Sequence, residues 1–428
     1  MTNLPKPPNK LGVIKVGARE EILNLAKQGH HTGILWREKV RSFASLYKRH
    51  LLKECSLRYG PAKNEYLAWM LALLIQKDPD TKLPDPASLN AALYVSDALR
   101  KLDCHNQVVG KVEELEKWLK STSKSTCDGR ALGSPFNPTK ELWKEESSGV
   151  GSVVIICPTS TSLYSLSVME LCRRFGVRIE GVIIRSISVR RFNQEWKRDG
   201  KRLLRKVWRK FVLNSDENSD TCRVSSKLVY DRLSCGFSDV RKFAKHLAVP
   251  IFEVDDLREP PFTCVSNSPR MALFTGGGMV GDSFLRGFPS GIINVHLGCL
   301  PAYKGMDVVQ APILEGCFNS VGITAHIMVK GLDEGPVVSN FTLNSDGYET
   351  LGGLRNELSA LSPLMCFDAG IGIQSGRYDP VPQATEIGRQ YYIVHELLND
   401  MLSRVMKERH SNDKQSQQIV NLVNQLVD

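Results

Sequence analysis

The chain has 428 residues, of which 42% are hydrophobic and 24% are charged, a balance typical of a globular protein long enough for about two domains. No apolar run reaches the ~20 residues of a membrane-spanning helix, and the first ten residues lack the apolar core of a signal peptide. The 11 cysteines show no Cys-x-x-Cys pair or metal-ligand spacing, which is typical of reduced thiols. We therefore expect a cytoplasmic enzyme with no transmembrane segment and no metal site.

Much of the formal net charge of +10 is concentrated in residues 185–210. Apolar residues recur there at helical spacing, so residues 190–211 are predicted to form a basic amphipathic helix. Two interpretations stay open. The helix could hold an anionic acceptor such as a nucleotide, a tRNA backbone or a phospholipid surface, or it could be a solvated outer face.

The N-terminal third of the chain is predicted to be helical. Apolar residues recur every three or four positions between about residue 20 and residue 120, which predicts four or five helices. We assign residues 1–121 to an N-terminal all-helical domain. Residues 122–150 are rich in Ser, Thr, Gly and Pro and are predicted to be a linker.

An α/β pattern begins after residue 150. A buried strand over 152–157, a helix over 162–175 and a strand over 179–184 make one βαβ unit. Further strands are predicted over 250–254, 270–275, 322–329 and 337–343. We expect a doubly wound, mostly parallel sheet in a catalytic domain over 151–384. The turn after the first strand lacks a Gly-x-Gly-x-x-Gly fingerprint, which disfavours a dehydrogenase.

Residues 385–428 are predicted to form a C-terminal helical segment. The stretches 396–407 and 415–427 are both amphipathic, as in a helical hairpin. Packing on the N-terminal helices or a homodimer contact would each bury their apolar faces.

A cluster of polar residues at predicted strand ends identifies a candidate active site. Asn294 and His296 alternate on one strand, so their side chains leave the same face. His326 lies on a later strand, and Asp333 lies in the turn that follows it. Open α/β sheets place their ligands at such strand ends.

These residue types fit transfer of an acyl group to an amine. The Asn294 amide and the His296 imidazole could donate to a developing oxyanion, and Asp333 could take the proton of the attacking nitrogen, directly or through water. No Ser or Cys with a triad pattern accompanies them. Cys299 is the nearest thiol and has no electropositive setting, so direct transfer is favoured over a covalent acyl-enzyme.

Each residue also has a purely structural interpretation. Asn294 and His296 could be satisfied polar groups at a strand end, although their combination with Asp333 favours a site. His326 could orient the site, contact substrate, or be half-buried in its strand. Lys304 could bind an acceptor phosphate or be a solvated turn lysine.

The motifs of this region resemble those of the formyltransferase family, which includes glycinamide ribonucleotide, methionyl-tRNA and sugar-nucleotide N-formyltransferases. The matching motifs are Asn294-Val295-His296, Leu300-Pro301-x-Tyr303-Lys304-Gly305, Gly322-x-Thr324-x-His326 and Leu332-Asp333-x-Gly335. The resemblance covers roughly residues 150 to 392. It implies 10-formyltetrahydrofolate as the formyl donor, with Asn294, His296 and Asp333 as catalytic residues.

The resemblance also implies where the donor binds. In the family, the loop after the strand over 270–275 lines the folate pocket through backbone groups, and three glycines there allow a close approach to a ligand. The predicted folate-binding residues are Gly277, Gly278, Met279, Val280, Gly331 and Leu332. A tight turn without a ligand is the structural alternative for the glycine loop.

Two departures from the family pattern leave the acceptor open. The family's usual His-Pro-Ser or His-Ala-Ser is His296-Leu297-Gly298 here, and the run after Tyr303 differs from that of the tRNA enzymes. The acceptor could be methionyl-tRNA, an amino-sugar nucleotide or a small metabolite amine. The alternatives are a formyltetrahydrofolate hydrolase and a catalytically idle module that binds nucleic acid or a protein partner.

Overall fold

The structure is a computed structural model, and it describes about three fifths of the chain in several stretches. The described residues are 86, 89, 90, 93, 104–122, 132–185, 224–233, 235–258, 271–276, 278–384, 388–391, 394–410 and 418–427. The predicted basic helix over 190–211 and most of the predicted N-terminal helical domain lie outside them. Within the described stretches, no helix is both long and apolar enough to span a membrane.

Ten strands are found in the described residues. They are β1 (Ser134–Pro135), β2 (Val153–Cys157), β3 (Ile179–Arg185), β4 (Ile251–Val254), β5 (Met271–Phe274), β6 (Ile292–His296), β7 (Tyr303–Gly305), β8 (Val321–Ile327), β9 (Val337–Leu343) and β10 (Arg389–Tyr391).

The described residues also form ten α-helices. They are α1 (Cys104–Ser121), α2 (Lys140–Ser147), α3 (Leu163–Arg174), α4 (Ser226–Arg232), α5 (Val240–His246), α6 (Asp282–Arg286), α7 (Gln310–Leu314), α8 (Leu351–Gln374), α9 (Glu396–Arg409) and α10 (Gln418–Val427).

Eight strands form one sheet in the order β1-β9-β8-β6-β5-β2-β3-β4. The run from β6 to β4 is parallel throughout, and β8 is antiparallel to both of its neighbours. Every residue of β2 is buried, because a parallel strand inside an α/β sheet is covered on both faces. The expectation of a doubly wound, mostly parallel sheet is confirmed.

The chain order reverses at the centre of this sheet. From β2 the chain proceeds to β3 and β4 on one side, and then continues with β5 and β6 on the other. Such a switch point leaves a crevice outside the carboxyl ends of the strands, where α/β proteins bind their ligands. His296 ends β6 at this edge.

The prediction of a linker over 122–150 is wrong for residues 134–147. The short strand β1 pairs in parallel with β9, and α2 follows it. Trp143 of α2 is fully buried, and its Nε1–H donates to Asp368 Oδ1 over 2.7 Å. A segment with a Ser- and Gly-rich composition therefore forms part of the core, because one indole supplies both apolar area and a donor.

The chain divides into two compact units. The first comprises residues 1–127, 306–317 and 389–409, and the second comprises residues 128–305, 318–388 and 410–428. In the first unit α9 packs on α1, where Arg404 makes a bidentate contact with Glu116 at 2.6 and 2.9 Å. In the second unit α10 packs on α8 and α4. The two amphipathic C-terminal helices thus contribute to different units.

Candidate active site

The pairing of two antiparallel strands brings the predicted site residues together. In the register of β6 with β8, Asn294 lies opposite His326 and His296 lies opposite Thr324. Side chains opposite one another on adjacent strands are close enough to interact. Asn294 Nδ2 is accordingly 3.0 Å from His326 Nε2.

His326 is held as a neutral imidazole behind Asn294. Its Nδ1 lies 3.3 Å from the carbonyl oxygen of Ile327, so an Nδ1–H donates there and Nε2 accepts from the Asn294 amide. Burial is the main cause that lowers the pKa of His326 from 6.5 to about 4, and the neighbouring His296 acts in the same direction. With 2% of its surface exposed, His326 is not half-buried, and its contacts favour the interpretation that it orients the site.

His296 has one nitrogen anchored and one facing the site. Its Nε2 lies 2.9 Å from the carbonyl oxygen of Tyr303, so Nε2–H donates to that oxygen. Its Nδ1 lies 3.6 Å from Asp333 Oδ2. Because the Nε2–H is taken by the Tyr303 carbonyl, Nδ1 is the nitrogen left for a reacting group, and it can donate a hydrogen bond only when the ring is an imidazolium.

Asp333 closes the cluster from the loop between β8 and β9. Its Oδ2 accepts a hydrogen bond of 2.9 Å from the backbone N–H of Gly305, and its Oδ1 is 3.9 Å from His326 Nε2. Its φ of 56° is unusual for any residue other than glycine, and such backbone conformations occur often at functional sites. The amide, the imidazole and the carboxylate that the sequence predicted to converge thus lie around one point, with His326 beside them.

Lys304 is buried, with 6% of its surface exposed, so the interpretation as a solvated turn lysine is wrong. It lies in β7 between Tyr303 and Gly305, whose backbone groups hold His296 and Asp333. Within the described ranges, its ammonium group has no hydrogen-bond or ion-pair partner. A cation in this position is suited to an anionic ligand, because opposite charges attract.

The two predicted folate-binding segments lie next to each other. Lys330 Nζ is 3.0 Å from Asp282 Oδ2, which joins the loop after β8 to the start of α6. Met279, on the chain just before α6, is 88% exposed, and Leu332, beside Asp333, is 55% exposed. Both segments therefore present apolar side chains, and Gly331 precedes Leu332 in the second of them.

The glycine loop after β5 has a specific need for glycine at position 278. Gly278 has a φ of 96°, and a Cβ atom there would lie 2.5 Å from Arg185 Nη1. Val280 forms a β-bridge with Leu257, which fixes the far end of the loop. Gly277 lies outside the described residues.

Cys299 is not a nucleophile in this structure. It is buried, and burial raises the pKa of its thiol to about 12. A thiol that stays protonated is a poor nucleophile, in agreement with direct transfer. In the described part of the chain, no group of three or more His, Cys, Asp or Glu residues could hold a metal ion.

Two further residues support the site and were not identified from the sequence as supports. Thr324 Oγ1 donates to the carbonyl oxygen of Gly298 and accepts from the N–H of Leu300, which fixes the loop after His296. Its place two residues before His326, on the same strand face, was a usable signal. Gln383 donates to the backbone of the Asp333 loop from 50 residues away, and nothing in its local sequence indicates this.

Comparison with known proteins finds similarity in the region that holds this site. A family model described as "Formyl transferase" matches residues 271–365. A methionyl-tRNA formyltransferase of Treponema pallidum is 32% identical over 113 residues, which are 26% of this chain and 35% of that protein. One of Myxococcus xanthus is 30% identical over 150 residues, which are 34% of this chain and 48% of that protein.

One of the solved structures that resemble this chain is similar at low identity. Glycinamide ribonucleotide transformylase 1 from Symbiobacterium toebii is 16% identical, with a TM-score of 0.36 over 54% of this chain and 94% of that chain. The chain spans about a third to a half of the length of the two curated relatives above. Residues 271–365, which match the family model described as "Formyl transferase", contain Asn294, His296, His326 and Asp333.

Proposed function

We propose that this protein transfers a formyl group from 10-formyltetrahydrofolate to a primary amine. The observation that carries the proposal is the convergence of Asn294, His296 and Asp333 within the matched domain. The acceptor nitrogen forms a bond to the formyl carbon, and the bond from that carbon to the donor nitrogen breaks. The amine loses a proton and the donor nitrogen gains one.

Asn294 and His296 stabilise the formyl oxygen as it becomes an oxyanion. One N–H of the Asn294 amide is directed to His326, which fixes the amide plane and leaves the second N–H for the substrate. A proton on His296 Nδ1 would have both the substrate oxygen and the Asp333 carboxylate in reach. Donors that are positioned in advance for a developing charge are a large contribution to catalysis.

Asp333 accepts the amine proton, directly or through an ordered water. The Gly305 N–H holds one carboxylate oxygen, and the second oxygen lies toward His326. A carboxylate held this way needs little reorganisation when it takes up a proton. General-base catalysis of this type contributes roughly 10²- to 10⁴-fold in rate.

The donor binds between the glycine loop and the Asp333 loop. Gly278 has no side chain that would cover its backbone groups, and the side chains of Met279 and Leu332 are exposed. These features suit a flat heteroaromatic ring with an apolar extension. Gly277, Val280 and Gly331 complete the proposed folate-binding set.

Lys304 contacts the acceptor or its anionic group. Its place in β7 between Tyr303 and Gly305, whose backbone groups hold His296 and Asp333, supports an acceptor that carries a phosphate or carboxylate near its amine. Methionyl-tRNA, an amino-sugar nucleotide and a small anionic amine all meet this description.

The proposal is tested by incubating the chain with 10-formyltetrahydrofolate and each acceptor class, and measuring the acceptor's mass. We expect one acceptor class to gain the mass of one formyl group. Release of formate at the same rate with and without amines would replace this function by hydrolysis. Absence of heat on calorimetric titration with a folate analogue would indicate a binding module without a folate site.

A further inference from the structure

We propose that Gln383 is a positioning residue that holds Asp333 in its reactive geometry. The inference rests on the function proposed above, because it concerns the proposed proton acceptor. Gln383 lies outside the segment matched by the family model and is not among the residues predicted from the sequence.

The Gln383 amide spans the Asp333 loop with both of its N–H groups. Nε2 lies 2.9 Å from the carbonyl oxygen of Asp333 and 2.6 Å from the carbonyl oxygen of Gly335. Two carbonyl acceptors require the NH₂ end of the amide at this position, so its orientation is determined. The Oε1 end is buried, and the described residues provide no hydrogen-bond partner for it. The contacts to the loop are therefore made entirely by Nε2.

The loop needs an external support because its backbone is bent sharply. Asp333 has a φ of 56°, a region that side chains with a Cβ atom rarely adopt. Gly335 is packed so closely on β8 that a Cβ atom would lie 1.6 Å from the carbonyl oxygen of Ile327. Two hydrogen bonds to the carbonyls that flank this bend hold it in place.

Gln383 itself is held by the sheet. Two residues earlier, Val381 exchanges two backbone hydrogen bonds of 2.8 Å with Val337 at the start of β9. The side chain therefore reaches the loop from a fixed segment. The Gly305 N–H fixes the carboxylate of Asp333, and Gln383 fixes its main chain.

Removal of the amide should let Asp333 move, while the glycine loop after β5 stays in place. In Gln383→Met, which keeps the side-chain length, we expect kcat to fall about 10- to 100-fold, since misplacement by about 1 Å can cost about 100-fold. The KM for the formyl donor should change less than kcat, because only Gly331 and Leu332 of the proposed folate-binding set lie in the Asp333 loop. Gln374→Met is the matched control, since the side-chain amide of Gln374 makes only long contacts, of 3.4 Å to the Gly370 carbonyl oxygen on α8 and 3.9 Å to Met271 Sδ on β5.

A double-mutant cycle separates positioning from general stability. If Gln383 acts through Asp333, Gln383→Met should cost little further activity in an Asp333→Asn background. Gln383→Glu gives a second test, because its carboxyl must be protonated to donate to a carbonyl. The activity lost in that variant should be partly restored as the pH is lowered, relative to the native protein.

Hydrogen exchange makes the inference testable without turnover. The amides of residues 331–335 should exchange faster in Gln383→Met than in the native protein or Gln374→Met. A Gln383→Met protein with native kcat and unchanged exchange would overturn the inference. An equal loss of kcat from Gln383→Met in the native and the Asp333→Asn backgrounds would overturn it as well. If the native protein transfers no formyl group, the proposed function fails, while the exchange result still decides whether Gln383 holds the loop.

Discussion

The buried His326 should make the stability of the protein depend on pH in a defined window. The folded protein keeps this imidazole neutral down to about pH 4, whereas an unfolded chain protonates it near pH 6.5. The unfolded state therefore binds more protons between these values, so the free energy of unfolding falls as the pH is lowered from about 6.5 to about 4. Above this window the contribution is constant, and below it no further change is expected.

The size of this effect follows from the gap between the two pKa values. At about 1.4 kcal/mol for each pKa unit, a pKa lowered from 6.5 to about 4 corresponds to a loss on the order of 3 kcal/mol across the window. His326 is almost completely buried, so solvent screening reduces this figure little.

The assay is urea unfolding at a series of pH values, with His326→Gln as the reference. The Gln side chain retains a hydrogen-bonding amide near Asn294 and does not titrate. Subtracting its free energy of unfolding from that of the native protein removes the contribution of ionisable groups that do not interact with His326. We expect the difference to change by about 3 kcal/mol between pH 7 and pH 4. A difference that is independent of pH would refute the assignment of His326 as a neutral, desolvated imidazole.

Three further predictions concern the core and the two binding regions. Trp143→Phe removes a hydrogen-bond donor to the buried carboxylate of Asp368 and should lower the free energy of unfolding by about 2 kcal/mol or more. Urea unfolding measures this change, and an unchanged free energy of unfolding would contradict the prediction. Gly278→Ala should weaken folate-analogue binding at least tenfold by calorimetry, because a residue with a Cβ atom is strained at the φ of 96° that this loop requires. Native affinity would exclude a role for this loop. Lys304→Met should raise the KM for the acceptor about tenfold or more and leave the affinity for the donor unchanged. Lys304→Arg should keep the acceptor KM closer to the native value, because it retains the positive charge. An acceptor KM in Lys304→Met equal to that of the native protein would remove Lys304 from the acceptor site.

Much of the fold could be predicted from the sequence, because its strands are short, apolar and regularly spaced. Val153–Cys157 is buried along its whole length and was predicted within one residue at each end. Such a strand carries its own signal, since a parallel strand covered on both faces is continuously hydrophobic.

The segment 134–147 could not be predicted because its structure depends on distant partners. A two-residue strand has no periodicity, and α2 is polar apart from Leu142 and the buried Trp143. The indole's partner, Asp368, is 225 residues away in the sequence. Composition therefore indicated a linker, and tertiary contacts determined the fold.

The side chains of the candidate site were predictable, but their supports were not. Asn294, His296 and Asp333 are recognisable by residue type, order and position at strand ends. The groups that orient them include the carbonyl of Tyr303 and the N–H of Gly305. Every residue has such backbone groups, so the sequence gives no indication of which ones are used.

The central claim is that Asp333 takes the proton of the attacking amine. Asp333→Asn tests it most directly, because the Asn oxygen can still accept from the Gly305 N–H but cannot accept a proton at neutral pH. With saturating formyl donor and acceptor, we expect kcat to fall about 10²- to 10⁴-fold while the donor's dissociation constant changes less than about threefold. The control is Asp231→Ala, which removes an exposed carboxylate on α4 and should leave both values unchanged. An Asp333→Asn enzyme with native kcat would contradict the proposed mechanism.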